Sequence, residues 1–461
     1  MNAVLLGVVV YVLVQFALGL LVSRRISSEA DYVLAGRRLG IGLATFTVFA
    51  TWFGSESVVG AAGNVYSHGL SAGSGDPFGY AICLFVLGFV FAVPLWRRQY
   101  TTFGDFFRER YSPGVERLFV LLAVPSSIFW AAAQIRAFGH MIDVISDVPF
   151  ATAVTVAAFV VITYTTAGGL LATALTDLIQ SIALIIGLLF LGYAVVDAAG
   201  GIQQIIDQID PARVQLVQSP HTTWLQVIEQ WAVPICGATL AAEMIARILA
   251  TRTAQVARNA CLLGGGLYLL MGLIPVTIGL IGPDLVPGLD HPEQIIPEIA
   301  SRHMSTLVYI LFAGALISAI LSTVDSALLA AASLISHNVL VPLKPDIDEG
   351  VKVRFARLSV VALGMIAYSL ALGSGSVYEL IETAVAIGTA GVFVVGVFGL
   401  FTRIGGPASG YAALISGAAM WYIGSYHTDW NTPYLIALAS AATTYLMLAA
   451  VAGNGRQTAA V

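Results

Sequence analysis

Thirteen apolar stretches, most of them close to twenty residues long and joined by short polar connections, decide what this chain can become. A helix needs about 20 apolar residues to cross roughly 30 Å of hydrocarbon. The stretches near 3–23, 41–65, 78–96, 115–141, 149–167, 171–196, 224–249, 257–282, 305–341, 354–373, 377–401, 406–425 and 433–452 are read as spans. Only 10% of the residues are charged, against about 25% in a soluble domain. So little charge cannot cover a water-facing surface, so the expectation is an all-α protein whose outer surface meets a lipid bilayer. The longest connections, 197–223 and 283–304, are too short for a soluble domain.

Charge excludes and orients. The formal net charge is −5 and no basic run occurs, so nucleic acid is not an expected partner. The three cysteines, Cys83, Cys236 and Cys261, sit in apolar stretches without metal-ligand spacing and read as packing residues. The first stretch lacks a positive leading region and a small-residue cleavage site, and Arg24-Arg25 follows it; it reads as a retained span. Alternate connections hold 18 of the 21 Lys and Arg residues, Arg247 among them, while Arg213 and Arg302 lie on the other side and Arg136 inside a span. Positive charge concentrates on the cytoplasmic face. The N-terminus is therefore expected outside and the C-terminus in the cytoplasm, in a bacterial-type cytoplasmic (inner) membrane.

Two spans carry breakers at mid-depth. The second reads Ala50-Thr-Trp-Phe-Gly-Ser-Glu-Ser, with Gly54 among polar residues; the seventh holds Pro234 and Gly237, followed by Glu243. Unwound backbone is tolerated at that depth only where it is buried in protein or lines a cavity. Two interrupted spans at corresponding places mark a transporter built from inverted repeats with its site at the midplane. The correspondence is five helices apart, spans 2–6 against spans 7–11. Ordinary kinks from Gly and Pro remain the simpler alternative.

Three blocks then resemble the sodium:solute symporter family: Leu34-Ala-Gly-Arg37 with Gly40; Tyr164-Thr-Thr-Ala-Gly-Gly running to Asp177-Leu-Ile-Gln180; and Leu321-Ser-Thr-Val-Asp-Ser-Ala-Leu-Leu to Ser333. The resemblance implies a leucine-transporter-type 5+5 inverted-repeat core with one helix before it and two after, in a single transporter domain over 1–461. In that layout 3–23 is the extra helix, 41–196 and 224–401 are the repeats, and 406–452 holds the last two helices. Ala50-Thr-Trp-Phe-Gly and Phe129-Trp-Ala-Ala-Ala look most like choline-transporter members, which implies an aromatic box using Trp52 and Trp130. The third tryptophan of that box is absent; Ala241 stands in its place, near Glu243.

The coupling ion follows from the same blocks. Sodium is a hard cation that takes oxygen ligands, and carbonyls freed at a helix break can supply them. Ala50 and Phe53 lie at the break; Ala319, Ser322 and Thr323 share one face of the ninth span at spacings of three and four. The resemblance implies that these five hold Na⁺. Ser and Thr in spans also bond their own i−4 carbonyls, which is the simpler role. Asp177, Asp325 and Ser326 are read as a second cation or proton site, or as buried groups satisfied by hydroxyls and water. An acid at mid-membrane costs about 2.5–3.5 kcal/mol by insertion scales, so it is paired or functional.

Trp52, Glu56, Trp130, Gln134 and Glu243 are the candidate solute-binding residues. Tryptophan faces attract cations, and the two glutamates add countercharge. An amine, quaternary ammonium or zwitterion is favoured. Arg136 either neutralises Glu56 or Glu243 or grips a substrate carboxylate. The expected function is sodium-coupled symport of a small organic solute by alternating access, with no oligomer required. A proton-coupled carrier of the same fold and a transporter-like sensor are the alternatives. The chain ends about nine residues after its last span, which leaves the sensor without an output domain. No metal cluster, nucleophile triad or phosphate loop points to an enzyme.

Overall fold

The computed structural model describes residues 26–458 apart from 71–74, 146–147, 216–222, 290, 345, 375–376 and 429, together with six single positions before 26. The first expected span, 3–23, lies almost wholly outside the described residues. The described residues form helices and their connections, with one isolated bridge pairing Leu39 and Thr251.

In chain order the helices are α1 (Glu29–Leu34), α2 (Ile41–Trp52), α3 (Ala61–His68), α4 (Gly75–Arg97), α5 (Gly104–Arg110), α6 (Pro113–Ile145) and α7 (Phe150–Ala198). There follow α8 (Ile202–Gln208), α9 (Trp224–Gly237), α10 (Ala242–Leu249), α11 (Ala254–Leu285), α12 (Ile295–His303) and α13 (Thr306–Ser333). The chain closes with α14 (Glu349–Gly373), α15 (Val377–Ala386), α16 (Thr389–Phe401), α17 (Pro407–Tyr426) and α18 (Pro433–Thr458). Among the described residues, seven helices are long and apolar enough to cross a membrane, and the bent pair α9–α10 makes an eighth.

Helix α7 unites two expected spans, 149–167 and 171–196. At 49 residues, a straight helix would reach roughly 74 Å, more than twice the hydrocarbon thickness. Gly169 breaks it with φ 54° and ψ −165°. Two contacts show how sharply the path turns. Tyr164 Oη donates to the Leu321 carbonyl at 3.2 Å, and Ser322 Oγ donates to Asp177 Oδ1. Tyr164 and Asp177 would stand roughly 20 Å apart on a straight helix, yet both reach adjacent residues of α13. Only glycine suits the corner: the dihedral is left-handed, and a Cβ there would lie 2.6 Å from the Tyr32 carbonyl oxygen.

The helical stretch that begins with α13 is the most buried of the long apolar helices, 71% of its most apolar segment being buried against 28% for α18, and its few polar residues include Ser322, Thr323, Asp325 and Ser326. Helices α6 and α7 pack on it from both sides, and α2 crosses it at its middle. The expected span 377–401 is not continuous: it divides into α15 and α16 at Gly388, whose φ is 72°. The stretch from Glu379 to Val392 holds two glycines, Gly388 and Gly391, and a glycine inside an apolar run reads as tolerated in a helix; only Gly388 breaks it, while Gly391 lies within α16.

Candidate functional site

The site is built where two helices stop. Helix α2 ends at Trp52 because Phe53 leaves helical geometry (φ −79°, ψ 82°), and Gly54 N–H turns back to the Trp52 carbonyl at 2.9 Å. Among the described residues, no backbone N–H beyond the break donates to the Ala50 or Phe53 carbonyl. The chain resumes in a wide turn over Glu56–Gly60 that leads into α3. The second stop lies between α9 and α10, which meet at 43°. Pro234 sits in the wide last turn of α9, and α10 starts afresh from Ala241 in extended geometry.

Gly54 faces α13. The point at which it would carry a Cβ lies 3.0 Å from Thr323 Oγ1, 3.6 Å from Gln134 Oε1 and 3.9 Å from the Ala319 carbonyl oxygen. Thr323 Oγ1 donates to that Ala319 carbonyl at 3.2 Å, and Ser55 Oγ donates to Gln134 Oε1 at 2.8 Å. Oxygens from α2, α6 and α13 therefore converge beside the break. Gln134, expected at a solute site, belongs to this cluster and is not among the residues lining the cavity described below. It is buried and reaches the break because α6 passes behind it.

One helical turn deeper is a buried charged cluster. Asp177 accepts from Thr47 Oγ1 and Ser322 Oγ. Asp325 Oδ1 accepts from Ser326 Oγ at 3.3 Å, and the Tyr164 hydroxyl and Arg247 are further neighbours of its carboxylate. Arg247 enters from α10 with 1% of its surface exposed. It donates to Ser326 Oγ and, at 3.0 Å, to the Glu243 carbonyl, and its electrostatic neighbours are Asp177, Asp325 and Glu243. Arg247 is thus not a connection residue, as the charge count had it. Its apolar surroundings, Met244-Ile245-Ala246 before and Ile248-Leu249 after, were the available signal. Thr47 gave no signal beyond lying six residues before Phe53.

Above the break is a cavity of about 60 Å³. Trp52, Tyr80, Phe119 and Trp130 supply its aromatic wall; Gly237, Ala238, Ala241 and Ala242 supply a wall without bulk. The segment around Gly388 closes it through Ala384, Ile387 and Thr389. Trp52 Nε1 points to Glu243 Oε1 at 3.4 Å, so these two candidate residues meet. Glu56 does not line the cavity, contrary to expectation: the wide turn after Gly54 rotates it away, half-buried, toward Asp76. Asp76, at the head of α4, accepts from Ser57 Oγ at 2.8 Å and from Tyr268 Oη at 3.1 Å. Arg136 donates to the Ala371 carbonyl at 2.9 Å and lies 5.0 Å over the Phe150 ring, on the α14 side of α6.

Below the cluster, α1 and the connection after it tie elements together. Arg37 donates to the carbonyls of Leu249, Gln99 and Tyr100, and Leu39 exchanges backbone bonds with Ala250 and Arg252. His337, past the end of α13, bonds Glu29 at 3.0 Å and Asp105 at 3.2 Å. Asn338 adds bonds to Asp105 and Glu116. Burial works to raise the Asp105 carboxyl, but the His337 bond and its attraction, with the Thr102 and Thr101 amides, outweigh it and hold the group below its ordinary value.

A helical bundle with two broken spans around a central helix defines a membrane transporter fold. The backbone superposes on a solved Na⁺-coupled sialic acid symporter in its substrate-bound outward-open state with a TM-score of 0.86, covering 98% of both chains at 16% identity. It also resembles Mhp1, a nucleobase-cation-symport-1 family transporter, in a closed conformation, with a TM-score of 0.61 over 90% of this chain and 93% of that one at 15% identity. Residues 32–409 match the model of the sodium:solute symporter family, and the chain belongs to that family.

Curated relatives include the high-affinity choline transporter 1 of Drosophila melanogaster, 28% identical over 77% of this chain and 59% of that protein. The human high-affinity choline transporter 1 is also 28% identical, over 77% and 63%. The sodium/pantothenate symporter of Escherichia coli is 24% identical over 78% and 76%. The chain spans about six-tenths of the length of the choline transporters it matches.

Proposed function

We propose that the chain is a sodium-coupled secondary active symporter that imports a small organic solute by alternating access. The observation that carries this reading is the convergence on Gly54: a helix broken at Phe53-Gly54 presents its backbone to the Thr323 hydroxyl and the Ala319 carbonyl. Carbonyls released at such a break, with hydroxyls from a facing helix, form the kind of oxygen cage a hard monovalent cation takes. Na⁺ would be held by the carbonyls of Ala50, Phe53 and Ala319 and the hydroxyls of Ser322 and Thr323. Ser322 donates to Asp177 in this structure, so its lone pairs remain able to face a cation.

The solute would occupy the cavity lined by Trp52, Trp130 and Glu243. Sodium bound at the break fixes the backbone of Trp52, whose ring forms the cavity wall, so occupation of one site improves the other by the same factor in both directions. Each charge carried inward across 100 mV contributes about 2.3 kcal/mol, roughly a fifty-fold accumulation. Asp177, Asp325 and Ser326 are proposed as a second cation or proton site; two fully buried, neighbouring carboxylates beside the Ser326 hydroxyl support it. The same reading includes the 5+5 inverted repeat, with 41–196 and 224–401 as its halves, and a cytoplasmic C-terminus.

The test is uptake into proteoliposomes under an imposed sodium gradient at fixed pH, using choline, glycine betaine, proline and a monocarboxylate, with Ser322→Ala alongside. Sodium-driven uptake lost in the variant supports symport. Uptake indifferent to sodium and driven by a proton gradient would transfer the coupling to Asp177 and Asp325.

A further inference from the structure

The cavity wall sorts its ligands by charge. Among the described residues, Glu243 is the only charged side chain that lines it, and no Lys or Arg does. Arg247 is one turn further along α10 and is committed to Ser326 and the Glu243 carbonyl. A solute carboxylate therefore meets no cation in the cavity. Tyr80, part of the wall, has Glu56 and Asp76 as further acidic neighbours beside Glu243, and among the described residues none of its electrostatic neighbours is basic.

The wall also distinguishes kinds of cation. Glu243 stands in the first turn of α10, held on one side by Trp52 Nε1 at 3.4 Å. It is half-buried because its exposed part faces the cavity. A carboxylate removed from bulk water needs hydrogen-bond donors for its lone pairs. An ammonium with an N–H supplies one and forms a charge-assisted bond. A quaternary ammonium supplies none; it satisfies aromatic faces but adds no donor to the long bond from Trp52 Nε1, so lone pairs facing the cavity stay unsatisfied. Beside Glu243 the wall is Ala241 and Ala242, which leaves room for a nitrogen to approach in place of a third ring.

We infer that the solute of this cavity is an organic ammonium bearing at least one N–H and an apolar body, and that Glu243 is the residue that selects it over quaternary ammonium and carboxylate solutes. This rests on the reading of the cavity as the transporter's solute site. Glu243 accepts the N–H bond, Trp52 and Tyr80 flank the charge, and Phe119, Leu122 and Trp130 take the apolar body.

The experiment uses the purified full chain and measures binding, with and without sodium, of amines from methylamine to 2-phenylethylamine, each paired with its N-trimethyl counterpart. Glycine betaine and phenylacetate are included. One charge-assisted hydrogen bond corresponds to about a tenfold preference for the N–H form. That preference is expected to vanish in Glu243→Gln and to persist in Glu243→Asp, which also controls for misfolding. Equal or tighter binding of the trimethyl forms, binding of only betaine or phenylacetate, or no binding of any amine overturns the inference. Sodium dependence is read separately: N–H selectivity that ignores sodium leaves this inference standing and removes sodium symport, whereas sodium-driven binding of a quaternary solute does the reverse.

Discussion

The Thr323 hydroxyl stands 3.0 Å from the point at which Gly54 would carry a side chain. The break in α2 and the middle of α13 are thus in contact through an oxygen, with no room for even a methyl group between them.

Gly54→Ala is therefore expected to push Thr323 Oγ1 aside and weaken sodium binding by at least about tenfold, the loss of one good oxygen ligand or more. The sodium concentration that half-stabilises the purified protein against heat measures it. Thr323→Val, which keeps the shape and removes the oxygen, should give a similar shift. An unchanged midpoint in both variants would remove Thr323 from the cation site.

Arg247→Met is expected to destabilise the fold by about 3–5 kcal/mol, because two buried aspartates lose their shared cation. The apparent melting temperature in detergent reports this. Adding Asp325→Asn should restore part of the loss, since the repulsion between Asp325 and Asp177 disappears. A double variant no better than the single would show that Arg247 acts through packing alone.

Gly169→Ala forces a left-handed dihedral on a residue with a Cβ, at about 1–2 kcal/mol, and sets that Cβ against the Tyr32 carbonyl. Lower yield of folded protein and a reduced melting temperature are expected. Tyr32→Phe, which loses the shared bond to the Thr165 and Thr166 carbonyls but keeps the ring and the backbone, should have a smaller effect.

The Asp105 carboxyl is held below its ordinary value, so its ionised form binds the folded state more tightly than the unfolded. Its contribution is full above the ordinary carboxylate value near 4 and fades as pH falls through the lower, folded value. Melting curves of wild type and Asp105→Asn should therefore differ at pH 6 and converge as the pH is lowered below about 4. A difference independent of pH would contradict the assignment.

The all-helical character with several membrane-crossing helices, and both breaks, were legible because hydrophobicity, Gly54, Pro234 and Gly237 are local signals. Gly388 was not: with Gly391 three residues on inside α16, the apolar run carries no sign of which glycine breaks the helix or of whether Leu122 will lean on it. Trp52 and Glu243 were named from type and depth, and they do meet. Glu56 and Gln134 were drawn to the cavity by the same logic and are not among the residues lining it: the wide turn after Gly54 aims Glu56 elsewhere, and Gln134 on α6 is engaged by Ser55 beside the break. Arg247 was counted with the connections because charge counting takes no account of depth.

The short stretch from Glu29 to Leu39 touches nearly every part that a carrier would have to move. Tyr32 fills the corner of α7, Glu29 holds His337, Arg37 ties the ends of α4 and α10, and Leu39 is stitched to the chain after α10. On the symport reading proposed above, an opening on this side would have to part all of these contacts, so the stretch would act as a bolt, and unloaded protein is expected to rest latched there.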